Sequence, residues 1–183
     1  QYLDISKQFE KITKLEWEHV EYKKMFISDV NNYIAIPKKG KPKCKGRFEW
    51  EDQVKFSLSH LHKDHSGLVI PKAIYEFFVN GMSPEEYIKN NNDIFDYCIG
   101  VKVKDGWSLQ QICIIKGKTE YVDLQNTIRY YISTDGCTIL KKKKEKTIRT
   151  EAGWKQTLFN IYEEMPWEKY HVNINYYLAK IYK

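Results

Sequence analysis

Nowhere does the chain string together the roughly 18 apolar residues that a membrane-spanning helix requires, and its opening residues QYLDISKQFEK lack the apolar core of a signal peptide. Neither a membrane nor a secretory address is therefore expected. Cysteine is sparse. Cys44, Cys98, Cys113 and Cys137 stand far apart, with no Cys-x-x-Cys pair and no dense framework, a distribution that predicts reduced thiols in a cytosolic protein. No internal repeat and no Gly/Ser-rich or Pro-rich linker divides the chain. An initiating Met is also missing: the first residue is Gln, which leads us to expect a segment of a longer protein.

What is present is ample apolar residue content, 42% of 183 residues, enough to bury a core in one domain or two small ones. Positive charge is placed rather than spread. Residues 38–47 (KKGKPKCKGR) carry six cations and no anion, and residues 141–149 (KKKKEKTIR) carry six cations against Glu145. These stretches contribute +6 and +5 to a net +6, so the remainder is acidic by 5. Two basic strips on an acidic body are the footprint of a protein that tracks phosphates; solvated, lysine-rich hairpins would carry the same composition.

The periodicity predicts an α+β fold. Ile5, Phe9 and Ile12 follow Asp4 at helical spacing, giving a short capped helix over residues 4–13. An antiparallel meander then runs through LEWEHVEY, KKMFI, NYIAI and KPKCKGRFEW. In the last of these, alternation places Lys43, Lys45 and Arg47 on one strand face, about 6.6 Å apart per step, with Gly46 allowing close backbone approach. An edge strand protected by lysines would read the same way. Beyond residue 66, Pro71 is expected at a first helical position, Ile74, Phe77 and Phe78 as an inward stripe, and Gly81 as the residue after the helix end. Ser83-Pro84-Glu85-Glu86 is a capping box for a helix to Asn90, and Asp93 opens a third helix. From Val101 the pattern is again β. Asp135-Gly136 is expected as a two-residue hairpin turn, with Arg129 and Tyr131 on one face and the lysine run on the outgoing strand. WKQTLFNIY suggests another strand, and Ile174, Tyr177, Leu178, Ile181 and Tyr182 mark a C-terminal helix.

One motif points elsewhere. His60-Leu61-His62-Lys63-Asp64-His65 has the spacing with which metallo-β-lactamase-like hydrolases hold two zinc ions. Such a centre needs ligands converging from several loops. The two histidines outside the motif, His19 and His171, do not supply the family's further ligands. A single zinc on His60, His62 and His65 is one alternative; a polar loop in which His62, Lys63 and Ser66 meet phosphate or backbone is the other.

Four segments, YKKMFISDVNNYIAIPKKGKPKCKGRFEW, LHKDHSGLVIPKAIYEFFVNGMSPEEYI, RYYISTDGCTILKK and EAGWKQTLFNIYEEMPWEKYHVNINYYLAKI, in this order and spacing resemble the C-terminal portion of bacteriophage-type family B DNA polymerases, the end of the palm followed by the thumb. The resemblance covers almost the whole chain and implies palm-end residues 1–52 and a thumb of residues 53–183. It implies a basic Lys-x-Tyr-like element and a following Lys-Gly that grip the primer-template duplex. Here Asn31-Asn32-Tyr33 and Lys45-Gly46 stand at those positions, so the tyrosine is kept and the first charge is not. The family's metal-binding motifs, Asp-x-x-Ser-Leu-Tyr and Asp-Thr-Asp, do not occur, and Ser133-Thr134-Asp135-Gly136 does not match them.

The resemblance thus implies the duplex-holding part of a DNA-directed DNA polymerase, a nucleotidyltransferase whose Mg2+-binding aspartates lie outside this chain. The chain itself would carry no cofactor and be inactive alone. Its partners would be double-stranded primer-template DNA and the N-terminal part of the polymerase, in the cytoplasm of a phage-infected cell. The expected DNA contacts are Tyr33, Lys43, Lys45, Gly46 and Arg47 on the palm side. On the thumb side they are His62, Lys63, Arg129, Tyr131, Lys141, Lys142, Lys143 and Lys144. The rival readings are a stand-alone nucleic-acid-binding accessory protein, a metal-dependent hydrolase using His60, His62, Asp64 and His65, and an interaction domain whose lysines serve solubility.

Overall fold

A computed structural model describes residues 2–15, 19–50, 67–151, 153–157 and 165–183. The histidine motif, with His60, His62, Lys63, Asp64 and His65, lies outside the described residues. The chain divides into two compact units, Gln1–Arg47 and Phe48–Lys183. The fold is α+β: the described residues form five α-helices and ten strands in three antiparallel sheets. None of these helices is long and apolar enough to cross a membrane.

The first unit begins with α1 (Tyr2–Thr13) and continues as a meander of β1 (Tyr22–Asp29), β2 (Asn32–Pro37) and β3 (Lys43–Lys45). β2 is central, antiparallel to both neighbours, with Phe26 opposite Ile34 and Ile34 opposite Cys44 on one face. Ile34 and Ala35 are fully buried.

The second unit opens with three helices whose ends follow from local chemistry. α2 (Val69–Asn80) starts two residues before the expected Pro71 and ends at Gly81 in the left-handed conformation. Its inward side is Val69, Ala73 and Ile74, whereas Phe77 is 48% exposed, so the predicted apolar stripe is rotated. α3 (Pro84–Asn90) is capped by Ser83 Oγ, which accepts from the Glu86 amide, as the capping box requires. α4 (Ile94–Tyr97) is capped by Asp93, whose carboxylate accepts from the Phe95 amide.

Two sheets follow. β4 (Ile99–Lys102), β7 (Thr127–Ser133) and β10 (Trp154–Thr157) form one, in the order β10-β7-β4. β5 (Ser108–Ile115), β6 (Lys118–Leu124), β8 (Thr138–Lys143) and β9 (Lys146–Arg149) form the other, in the order β6-β5-β8-β9. Sequence patterning does not single out β6, a mostly exposed strand completing a hairpin with β5.

Asp135-Gly136 corrects an expectation. β7 pairs with β4 and β10, and β8 pairs with β5 and β9, so this turn carries the chain from one sheet to the other instead of closing a hairpin. Gly136 is required there: its φ is +119°, and a side chain would strike the Lys155 carbonyl. Asp135 is itself held by Gln156 Nε2 at 2.7 Å and His171 Nδ1 at 2.6 Å.

The main core lies in the second unit and is rich in tyrosine. α5 (Ile174–Ile181) drives the fully buried Tyr177 into it. The Tyr177 hydroxyl donates to the Tyr97 carbonyl at 2.7 Å and accepts from the Ile132 amide at 2.9 Å. Burial holds this phenol well above the usual tyrosine range. Tyr97 packs edge-on against Tyr177 and donates to the Asn91 carbonyl at 2.9 Å. A further correction concerns the cysteines: Cys113 and Cys137 are joined in a disulfide. Separation in sequence concealed their proximity, which the β5–β8 register creates.

Candidate nucleic-acid interface

In the first unit, strand pairing decides which basic residues meet. Tyr33 lies opposite Lys45 and Ile27, and Ala35 opposite Lys43 and Met25. Paired residues share a sheet face, so Lys43, Lys45, Tyr33, Met25 and Ile27 belong to one face. Phe26, Ile34 and Cys44 belong to the other. Ala35 shares the first face and is fully buried, while around it Met25 is 44% and Ile27 63% exposed, Lys43 is exposed, and Lys45 and Tyr33 are half-buried. The face therefore carries two lysines beside one tyrosine and aliphatic side chains. That combination meets phosphate with charge and sugar with apolar area.

Arg47 does not join that row by strand alternation, as the sequence pattern suggests. Gly46 has a φ of +64°, which ends β3, and Gly46–Phe48 form a single 3-10 turn. The turn is braced by the β1–β2 connection. Asn32 Oδ1 accepts from the Arg47 amide at 2.6 Å, while Asn32 Nδ2 donates to both Asp29 oxygens at 2.8 Å. Asp29 also accepts from the Asn31 amide at 2.9 Å. A side chain at Gly46 would overlap the Asn31 carbonyl and the Asn32 side chain. Asn31 and Asn32 thus buttress the Lys45-Gly46-Arg47 backbone. The Asn32 and Asn31 hydrogen bonds, with a smaller contribution from the Arg47 charge, hold the Asp29 carboxyl below the usual aspartate range. Composition gave one clue to this brace, the turn-forming Asp-x-Asn-Asn run.

The second basic strip lies in the other unit and is divided. Along β8, Lys141 and Lys143 take one face and Lys142 the other, with Lys141 opposite Ile148 and Lys142 opposite Thr147. Lys144 occupies the β8–β9 turn with a φ of +52°. Lys143 faces Lys146 directly, a repulsive arrangement, and its ammonium lies 5.9 Å from the Trp107 ring centre, where the π-face offsets part of that cost. The four lysines thus do not form one row.

Arg129 and Tyr131 require a larger correction. Both lie on β7, the central strand, and are 4% and 1% exposed. The Arg129 guanidinium lies 5.0 Å from the Phe95 ring centre, and the Tyr131 hydroxyl donates to Gln156 Oε1 at 3.1 Å. They are parts of the core rather than surface contacts, because both faces of β7 are covered. Lys155, on β10, is also buried and donates to the Gly153 carbonyl at 2.7 Å. Desolvation lowers its ammonium pKa, partly offset by Glu151.

Among the described residues no group of three His, Cys, Asp or Glu side chains is placed to hold a metal ion; His62 and Lys63, the remaining expected contacts, lie outside those residues. No protein-family profile, curated protein or solved structure matches the chain.

Proposed function

We propose that this chain is the duplex-holding palm-end and thumb part of a DNA-directed DNA polymerase of the bacteriophage family B type. It binds primer-template DNA through phosphates in the infected cell's cytoplasm, while chemistry occurs on Mg2+-binding aspartates absent from this sequence. The observation that supports the reading is the lysine-bearing face of the β1-β2-β3 sheet. There Lys43 and Lys45 stand one strand step apart beside Tyr33, and the next two residues are held in a fixed turn by Asn32. Two lysines whose backbone positions lie about 6.6 Å apart on one strand suit successive phosphates of one DNA strand.

The test is a salt titration of duplex binding by the full chain. Each phosphate contact contributes roughly 0.9 to the slope of log K against log salt. Lys43→Ala with Lys45→Ala should weaken binding and reduce the slope by about 2. An unchanged affinity and slope would exclude this face. Reading the coding sequence upstream for the two aspartate motifs separates a polymerase from a stand-alone accessory protein.

A further inference from the structure

The register of the four-stranded sheet places one cysteine pair where neither cysteine's sequence neighbours announce it. β5 and β8 pair from Ser108 with Lys142 to Ile112 with Thr138, so Cys113 and Cys137 come next, directly opposite, with Cα atoms 4.5 Å apart. The Cys137 amide donates to the Lys155 carbonyl and its carbonyl accepts from the Lys155 amide, both at 2.9 Å. Its backbone hydrogen bonds therefore go to β10, and the Cys113–Cys137 pair is of the non-hydrogen-bonded kind in which side chains stand closest. Cys137 thus belongs by its backbone to the three-stranded sheet and by its sulfur to the four-stranded one. Gln111 Nε2 donates to both sulfurs, at 3.1 and 3.0 Å.

We propose that Cys113 and Cys137 form a reversible thiol–disulfide switch that stitches the two sheets of the second unit together. Cys137 is half-buried and Cys113 nearly buried, so Cys137 is the sulfur that solvent species reach first. With a small-molecule disulfide as oxidant, the Cys137 thiolate attacks one sulfur and expels the other as a thiolate, forming a mixed disulfide. The Cys113 thiolate then attacks Cys137 Sγ and releases the second small thiol. The protein loses two thiol protons and two electrons, and the oxidant is reduced to two thiols. The other cysteine of this unit, Cys98, is buried and donates to the Ile94 carbonyl at 3.3 Å. It offers no rival pairing on this route. In the reduced state the Cys137–Lys155 backbone bonds remain, but β5 is no longer covalently tied to that junction.

The experiment equilibrates the full chain in graded mixtures of reduced and oxidised glutathione, followed by alkylation, peptide mass spectrometry and amide hydrogen exchange. We expect the Cys113–Cys137 crosslink to appear and disappear with the ratio. The Cys137 and Lys155 amides should exchange about 10-fold faster in the reduced form, as local opening becomes easier. In the C113S/C137S double variant, exchange should be insensitive to the ratio. Alkylation of both cysteines at every ratio, a crosslink that persists in excess thiol, or identical exchange in the two redox states would each overturn the proposal.

Discussion

The two units use positive charge in opposite ways. Gln1–Arg47 holds 11 Lys and Arg against 6 Asp and Glu, a net +5, whereas Phe48–Lys183 holds 19 against 18, a net +1. In the smaller unit the only fully buried apolar side chains among the described residues are Ile34 and Ala35, so its cations remain at the surface of a thin sheet. In the larger unit Arg129 and Lys155 are taken into the core, one against an aromatic ring and one on a backbone carbonyl. Lys43 on β3 stays exposed, whereas Arg129 on central strand β7 and Lys155 on edge strand β10 are both buried. What the rest of the unit packs against the strand, rather than charge, determines which is buried.

The sharpest way to break this contrast is at the tyrosine in the larger core. Tyr177→Phe removes the hydroxyl that serves both the Tyr97 carbonyl and the Ile132 amide, leaving a buried donor unsatisfied. A loss of about 2–3 kcal/mol is expected in chemical denaturation, with an unchanged salt slope for duplex binding under conditions where the variant is folded. Arg129→Met tests the same boundary: it should alter stability and leave the slope unchanged. A reduced slope would return Arg129 to the phosphate-contacting set.

In the smaller unit, Gly46→Ala should cost at least about 1 kcal/mol from its positive φ, with the overlap against Asn31 and Asn32 adding to it. Hydrogen exchange should report the loosening at the Arg47 amide, accompanied by weaker duplex binding. If that amide stays protected, the asparagine brace does not depend on the glycine. The smallest effect expected is that of acid. The folded Asp29 carboxyl titrates below its unfolded value, near 3.9, so the support it gives is complete above that value and disappears as pH falls through the depressed folded one. NMR of the Asn31 and Asn32 amides across this acid range should show the brace releasing. Release at neutral pH would contradict the assignment.

Much of this architecture was legible without coordinates. The capping box at Ser83, the cap at Asp93, the helix end at Gly81 and the apolar periodicity of α5 are local, and each formed as the residues require. Tyr33 beside Lys45 was legible as a pair of candidates but not as neighbours, because register is a relation between strands. Asp135-Gly136 shows where local reasoning stops: its dipeptide chemistry gives a turn, while the partners of the strands on either side determine whether that turn closes a hairpin or crosses between sheets. The lysine run is a similar case. Adjacent residues in a strand point to opposite faces, so a continuous run of lysines in sequence is divided between the two faces of β8 and its turn.

By itself the chain of residues determined an α+β fold, the ends of its helices and two concentrations of cationic charge, since capping, periodicity and composition act over a few neighbouring residues. Tertiary structure alone decided that Arg129 and Tyr131 are buried, that Asn32 holds Arg47, and that Cys113 faces Cys137. Each of these depends on segments far apart in sequence being brought together by strand pairing and core packing, which no local pattern encodes.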